Sequence, residues 1–270
     1  MQPLTELSGP NLRQLRGVVF DVDDTLTRNG RLEQVAFEAL LRLAEAKLIL
    51  IAVTGRPLGW TDVFASQWPV AIAVGENGAG WSWVRRGVLG EGYLFGAEAR
   101  QKQRNQLQRI QAQVQRMMPS MRLTRDCRVR RCDLAFDTGE TTHVSPELVD
   151  QLVGIIEDEG GSAVVSSIQC HASGARWDKA KGVTEAVREV LDEDLNATKE
   201  QWLFVGDSGK DAAAFQFFPA AVGVRHVKDP LERIPPLPAD ITQADRGAGF
   251  AEVADHILRA LACPTAGSLP

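Results

Sequence analysis

Short apolar runs alternate with longer stretches of helical spacing in the first third of the chain. Residues 15–20 are an apolar run that ends in Asp21, Asp23 and Asp24; a run of this length reads as a buried strand. Leu32, Val35, Ala36, Ala39, Leu40 and Leu43 form one stripe of a helix over residues 32–46. Residues 48–53 are a second apolar strand, closed by Thr54-Gly55-Arg56-Pro57, and a short helix is expected over 61–68. A third strand, 70–74, is closed by Gly75-Glu76-Asn77-Gly78. Strands that are apolar throughout, with helices between them, predict a parallel sheet covered on both faces.

The pattern changes after Gly78. Residues 81–84 and 88–95 flank Arg85-Arg86-Gly87, as a hairpin would. A Gln- and Arg-rich helix over 97–118 carries Leu107, Ile110, Val114 and Met117 at helical spacing. Residues 127–136 alternate loosely and predict a strand. Ser145-Pro146-Glu147 predicts a helix start, with serine at the N-cap and proline at the first position. Residues 163–173 hold one or two more strands. Alternation then returns, with helices at 180–191 and 210–217, strands at 202–205, 221–224 and 239–242, and a helix at 250–261 before a Pro/Gly/Ser tail. The expected organisation is one α/β domain, residues 1–79 plus 176–270, interrupted by a separate α+β unit over 80–175.

Composition narrows the function. The chain has 270 residues, 44% of them hydrophobic, ample for a buried core. A net charge of -5 argues against a general nucleic-acid binder. No apolar run is long enough to span a membrane. The stretch from Met1 to Arg16 lacks an apolar signal core, so a cytoplasmic location is expected. The four cysteines, Cys127, Cys132, Cys170 and Cys263, are too few for a disulfide scaffold.

The candidate chemistry sits where predicted strands end, which is where open α/β sheets bind ligands. Carboxylates are almost never buried unpartnered, so Asp21, Asp23 and Asp24 belong at or just past a strand end. Asp21 and Asp23 lie about 7 Å apart in extended chain and point to one side. A hard cation such as Mg²⁺ is their natural counter-charge. Thr54-Gly55-Arg56 offers a hydroxyl and backbone N–H groups to a phosphoryl oxygen, although such a tripeptide also suits a plain turn. In Gly206-Asp207-Ser208-Gly209-Lys210-Asp211, Asp207 is a candidate cation ligand and Asp211 a supporting partner or a lysine counter-ion; an ordinary helix cap reads the same way. Arg176-Trp177-Asp178-Lys179-Ala180-Lys181-Gly182 puts lysines at a helix N-terminus, against the helix dipole, which hints that an anion needs one of them.

Taken in this order, these stretches resemble the haloacid dehalogenase (HAD) superfamily of phosphohydrolases. Asp21-Val22-Asp23-Asp24-Thr25 matches its DxDxT motif, Thr54 its strand-terminal Thr or Ser, a lysine at a helix start its third motif, and Gly206-Asp207 through Asp211 its GDxxxD motif. The long insert resembles the branch with a large α/β cap, which includes sucrose-phosphate, trehalose-phosphate and mannosyl-phosphoglycerate phosphatases and phosphomannomutases. Asn77-Gly78-Ala79 and Gly247-Ala248-Gly249-Phe250 are similar to that branch too. The resemblance implies a Rossmann-like doubly wound parallel-sheet core with an inserted α+β cap domain. It also implies roles. Asp21 is the nucleophile and Asp23 the acid/base. Asp21, Asp23 (through its backbone carbonyl) and Asp207 hold Mg²⁺. Thr54, Gly55 and a lysine bind the phosphoryl group, and Asp211 supports them from behind.

Two lysines compete for the third motif. Counting four, seven and eight positions on, Lys179 leads to Val183, Ala186 and Val187, whereas Lys181 leads to Glu185, Arg188 and Glu189. Buried positions must be apolar, which favours Lys179; Lys181-Gly182 nonetheless looks like the Lys-Gly pair of sugar phosphatases. Lys210 stands where the family usually has Asn and is expected to face solvent. Asp24 occupies a place where relatives carry a small residue, often Gly, and has no assigned role.

The insert is basic from Arg100 to Arg131, with Asp126 the only acid, which suits a phosphorylated, even doubly anionic, substrate. For Arg100, Lys102 and Arg104 a solvated helix face is the expectation. Arg125, Arg128 and Arg130 would share one face of the strand predicted there. Cys127, Cys132, Cys170 and His171 match no standard zinc spacing. His143 is expected on the surface, and Trp60 and Trp81 in core packing rather than a sugar pocket. The expected activity is Mg²⁺-dependent hydrolysis of a small phosphorylated metabolite, a sugar phosphate, by a monomer or homodimer. The alternatives are a sugar phosphomutase and a non-catalytic phospho-ligand-binding regulatory protein.

Overall fold

A computed structural model describes residues 2–4, 12–166, 168–225, 238 and 240–262. Cys263 and the tail after it lie outside the described residues. In chain order the elements are β1 (Gln2–Pro3), β2 (Gly17–Asp21), β3 (Thr27–Arg28), β4 (Arg31–Leu32), α1 (Gln34–Glu45), β5 (Ile49–Val53), α2 (Leu58–Gln67), β6 (Ile72–Gly75), β7 (Gly80–Arg85) and β8 (Val88–Tyr93). Then come α3 (Ala97–Met117), β9 (Asp133–Asp137), α4 (Pro146–Asp158), β10 (Ser162–Val165) and β11 (Gln169–Ser173). The chain closes with α5 (Lys179–Leu191), α6 (Leu195–Thr198), β12 (Trp202–Gly206), α7 (Ala212–Phe217), β13 (Ala220–Arg225), β14 (Asp240–Asp245) and α8 (Arg246–Ala262).

The main sheet runs β1-β14-β13-β12-β2-β5-β6-β7-β8. Every pairing from β1 to β6 is parallel. Strand alternation divides its side chains between two helical layers. Val18, Phe20, Leu50, Ala52, Leu203 and Val205 pack on α1 and α8, against Leu40, Phe250 and Ile257. Val19, Ile51, Val53, Trp202 and Phe204 pack on α5 and α7, against Val183, Val187 and Phe215. This is an α/β, Rossmann-like, doubly wound core.

The hairpin of β7 and β8 turns through Arg86 (φ 51°) and Gly87 (φ 76°), the paired positive angles of a tight hairpin. Its placement in the insert, 80–175, does not match the sheet. β7 pairs antiparallel with β6, so the hairpin extends the core sheet. The separate unit follows it. A three-stranded antiparallel sheet, β10-β11-β9, lies under α3 and α4. Leu107, Ile110, Val114, Leu152 and Ile156 of the helices meet Phe136, Cys170 and Ala172 of the sheet. The opposite face of that sheet carries Asp133, Ala135, His171 and Ser173, by strand alternation.

The strand predicted over 127–136 is also corrected. Residues Arg125–Val129 form a 3-10 turn, and β9 starts only at Asp133. The Thr124 hydroxyl donates to Asp126 Oδ1 at 2.7 Å, a local side-chain bond of the kind that competes with a strand ladder. Arg125, Arg128 and Arg130 therefore share no strand face. Arg125 and Arg128 are exposed, while the Arg130 side chain is buried against Asp133. Among the described residues no helix is long and apolar enough to cross a membrane.

Candidate active site

Three adjacent strands deliver the acidic motifs to one edge. Asp21 is the last residue of β2, paired in register with Val53 of β5, and Thr54 follows directly. On the other side β12 pairs with β2 up to Val205 and Phe20, so Gly206-Asp207 emerges beside Asp21. Ligand oxygens of Asp21, Asp207 and Asp211 lie within 4.8 Å of one another, all three residues buried.

Lys179 enters this cluster from the first turn of α5. It is 2% exposed, and its Nζ donates to Asp21 Oδ1 at 2.5 Å and to Asp211 Oδ1 at 2.6 Å. Two glycines set that position. A Cβ on Gly182 would stand 2.3 Å from Gly78 Cα, and one on Gly78 would stand 2.3 Å from Asp178 O. The α5 backbone thus seats on the turn after β6, and Asp178 caps the helix by accepting from the Lys181 N–H at 2.9 Å. Lys181 points elsewhere, lining a surface cavity with Glu185 and Lys199. Asp211 completes the frame: its Oδ2 accepts the Asp207 and Ser208 N–H groups at 3.0 Å each. With both oxygens so occupied, Asp211 supports Lys179 and the Asp207 turn.

The electrostatics follow from burial. Desolvation pushes Asp21 up to about 6 against the pull of Lys179, with Asp211 and Asp23 adding to the rise. Asp207 is raised by burial, then by Asp21 and Asp211. Burial opposes the Lys179 charge, but Asp21 and Asp211 outweigh it and hold the ammonium above its ordinary value. Three carboxylates face one ammonium, an imbalance that a divalent cation removes. Asp21 and Asp207 offer the hard oxygens that Mg²⁺ prefers, so the residues present fit that ion. Thr25 Oγ1 donates to Asp207 Oδ1 at 3.2 Å and orients it.

Asp23 stands apart from the cluster. It is held by Arg56, whose Nε and Nη2 donate at 3.0 and 2.6 Å, and its side chain is 44% exposed. Buried Thr54 donates its hydroxyl toward Asp23 at 3.4 Å and accepts from the Arg56 N–H at 3.1 Å. Arg56 drew no role in the sequence; its place in Thr-Gly-Arg was the signal. Asp24 sits at φ 57°, a left-handed conformation that favours Gly and that Asp tolerates. It accepts from Arg246 Nε at 2.9 Å, which ties the strand-end loop to the start of α8. Lys210 does not match its expected solvent orientation. It is half-buried, and burial, then Lys179, pull its proton affinity down, against Asp21, Asp23 and Asp207.

A clamp joins core to cap. Glu76, fully buried at φ 49°, accepts the N–H groups of Leu58 and Arg131 on Oε1 at 3.0 and 2.8 Å. Its Oε2 accepts those of Cys132 and Asp133 at 2.6 and 3.1 Å. Burial, then Asp133, push its carboxyl up to about 7. Arg130, its side chain 1% exposed, binds Asp133 at 2.8 Å and the Gly55 carbonyl at 3.2 Å. Arg131 reaches Asp62 and Glu91 on the core. Arg100 differs from the solvated face expected of it, stacking over Tyr93 with its guanidinium 3.7 Å from the ring centre; Lys102 and Arg104 are exposed. Cys127, Cys132, Cys170 and His171 form no metal cluster among the described residues, where Asp21, Asp207 and Asp211 are the one such group. His143 is exposed, Trp81 is buried with its Nε1 donating to Glu189, and Trp60, expected in core packing, is instead exposed beside Arg56.

An acid cluster and a buried lysine meet at the parallel-strand ends of a Rossmann-like sheet that carries an inserted α+β unit. No protein-family model and no curated protein matches the sequence. Solved structures do match. A Thermoplasma acidophilum protein superposes with TM-score 0.69 at 20% identity, over 90% of this chain and 98% of that one. The sucrose-phosphatase of Synechocystis sp. PCC6803, solved with sucrose and phosphate, gives 0.65 at 18%, over 91% and 98%. BT1666 of Bacteroides thetaiotaomicron, described among the phosphatases of the haloalkanoate (HAD) enzyme superfamily, gives 0.59 at 16%, over 95% and 98%. The fold is that of the HAD phosphatases with a cap.

Proposed function

We propose that the protein is a Mg²⁺-dependent phosphatase that hydrolyses a small phosphorylated metabolite, a sugar phosphate, through an aspartyl-phosphate on Asp21. The observation that carries this reading is the Lys179 ammonium bridging buried Asp21 and Asp211, with Asp207 alongside. A carboxylate held at a strand end by a cation suits nucleophilic attack on an anionic ester. One protein of similar fold is a sucrose-phosphatase solved with sucrose and phosphate, and another is described as a trehalose-6-phosphate phosphatase related protein, which supports the substrate class.

In this reading Asp21 Oδ attacks phosphorus and the P–O ester bond breaks. Asp23 gives its proton to the leaving alkoxide. Its carboxylate then takes a proton from the water that attacks the aspartyl-phosphate, which releases inorganic phosphate and restores Asp21. Arg56 Nη2 holds the Asp23 carboxyl at 2.6 Å, so Asp23 must turn from Arg56 to reach the leaving oxygen. Lys179, the Thr54 hydroxyl and the Gly55 amide hold the phosphoryl oxygens, where positioning and electrostatics do most of the catalysis. Asp21, Asp207 and the Asp23 carbonyl would hold Mg²⁺, which screens the repulsion between two anions when bound. A panel of sugar, polyol and nucleoside phosphates, assayed with Mg²⁺ and with EDTA, tests the reading. Inorganic phosphate should appear from a sugar phosphate only with Mg²⁺; isomerised sugar phosphate without phosphate release would contradict it.

A further inference from the structure

The loop Thr54-Gly55-Arg56, which in the proposed reaction holds the phosphoryl oxygens, has all three of its carbonyls tethered. Thr54 O accepts the Asn77 N–H at 3.0 Å and Arg56 O accepts the Glu76 N–H at 2.9 Å, both from the turn after β6. Gly55 O accepts from Arg130 Nη1 at 3.2 Å. This third tether is a side chain, and it comes from the segment that leads into β9 of the inserted unit.

The Arg130 tether reaches further than the carbonyl. A peptide unit is planar, so holding its C=O also fixes the direction of its N–H. The peptide held here joins Gly55 to Arg56, and its N–H donates to Thr54 Oγ1 at 3.1 Å. A hydroxyl that accepts on one side keeps its own proton to donate elsewhere. In this structure the Thr54 hydroxyl donates toward Asp23 Oδ2 at 3.4 Å. Contacts therefore run from Arg130, through one peptide unit, to the direction in which Thr54 donates.

Arg130 is fixed in its turn. Its side chain is 1% exposed, and Asp133, 3% exposed, accepts from Nη1 at 2.8 and 3.1 Å. Asp133 is anchored by its own N–H on Glu76 at 3.1 Å and by His171 Nδ1 at 3.0 Å. A counter-ion for Asp133 alone would need no carbonyl partner; the bond to Gly55 is what gives Arg130 a part in the site.

We infer that Arg130 is a positioning residue of the phosphoryl site. It holds the Gly55–Arg56 peptide so that the Thr54 hydroxyl is presented as a donor to a phosphoryl oxygen. The inference rests on the phosphatase reading of the Asp21 site.

Arg130→Lys tests it, with p-nitrophenyl phosphate, the best ester of the panel and inorganic phosphate as probes, all with Mg²⁺. Lysine is one atom shorter, so it keeps a cation beside Asp133 and gives up the Gly55 carbonyl. It should lower kcat/KM about tenfold on both esters, the loss of one hydrogen bond from a charged donor. In a Thr54→Val background the same change should cost less than about twofold, because the hydroxyl it positions is gone. In a Thr54→Ser background, which keeps a hydroxyl, the full loss should return. By calorimetric titration, inorganic phosphate should bind the Arg130→Lys protein about tenfold more weakly, again only where residue 54 carries a hydroxyl. Should Arg130→Lys not fold, Arg130→Met combined with Asp133→Asn, which leaves neither charge of the pair, takes its place. A loss as large in the Thr54→Val background as in the wild type, or unchanged kcat/KM and phosphate affinity in the folded variant, would overturn the assignment. If the wild type binds phosphate but releases none from any ester, the phosphatase reading fails and the phosphate titration alone decides the role of Arg130. If the wild type binds no phosphate, both fail.

Discussion

At Lys179 one ammonium serves two carboxylates in a nearly dry site. Removing one partner of such a network leaves buried charge uncompensated, which costs about 3–5 kcal/mol. Lys179→Met should therefore abolish phosphate release and also lower the melting temperature, as thermal unfolding would show. Mg²⁺ should recover part of that stability, because it supplies the missing positive charge to Asp21 and Asp207. Lys181→Met should change neither, since the Lys181 side chain lies away from the acids. Asp24 shows the opposite kind of role. Its left-handed backbone and its bond to Arg246 make it a structural acid in the middle of the stretch that matches DxDxT.

The turn after β6 is the hinge piece of the fold. Glu76, Asn77 and Gly78 all take positive φ, strained for the first two. That turn presents Gly78 to α5 and the Glu76 carboxylate to the chain entering β9. The pH behaviour of this clamp is testable. Glu76 is raised from its ordinary 4.5 to about 7 in the fold, so its contribution is fully present below the unfolded value and lost as pH rises through the folded one. Glu76→Gln keeps an uncharged acceptor but turns an amide N–H toward two backbone donors. It should be less stable than the wild type at pH 5, and the gap in melting temperature should narrow by pH 8. A gap that widens over this range would mean that the four backbone donors outweigh burial and that the carboxylate form stabilises the clamp.

At the scale of the molecule, a doubly wound core carries the acid cluster at its strand ends and a separate α+β unit is inserted after its hairpin. The core was largely legible in the sequence. Apolar runs that stop at Asp21, Thr54 and Gly206 announce strands and the chemistry at their ends, because buried strands tolerate no unpaired acids. Long-range pairings left no such trace. Glu76 meets residues 131–133, Arg130 meets Gly55, and each looks like an ordinary surface charge when its partner is more than fifty positions away. The residues 127–136 alternate as a strand would, but the Thr124–Asp126 bond closes a turn instead. The β7–β8 hairpin has the same local pattern whether it joins the core sheet or the cap, and only its pairing with β6 decides.

The measurement that bears most directly on the account is phosphate release by the wild type and by Asp21→Asn, with Mg²⁺, on the sugar phosphate that the panel identifies. The variant is nearly isosteric, so circular dichroism and the melting curve should show an intact fold. Its turnover should fall by at least about 10³-fold, the scale expected when a covalent nucleophile is removed. A folded Asp21→Asn protein that still released phosphate at a rate near the wild type would contradict the account.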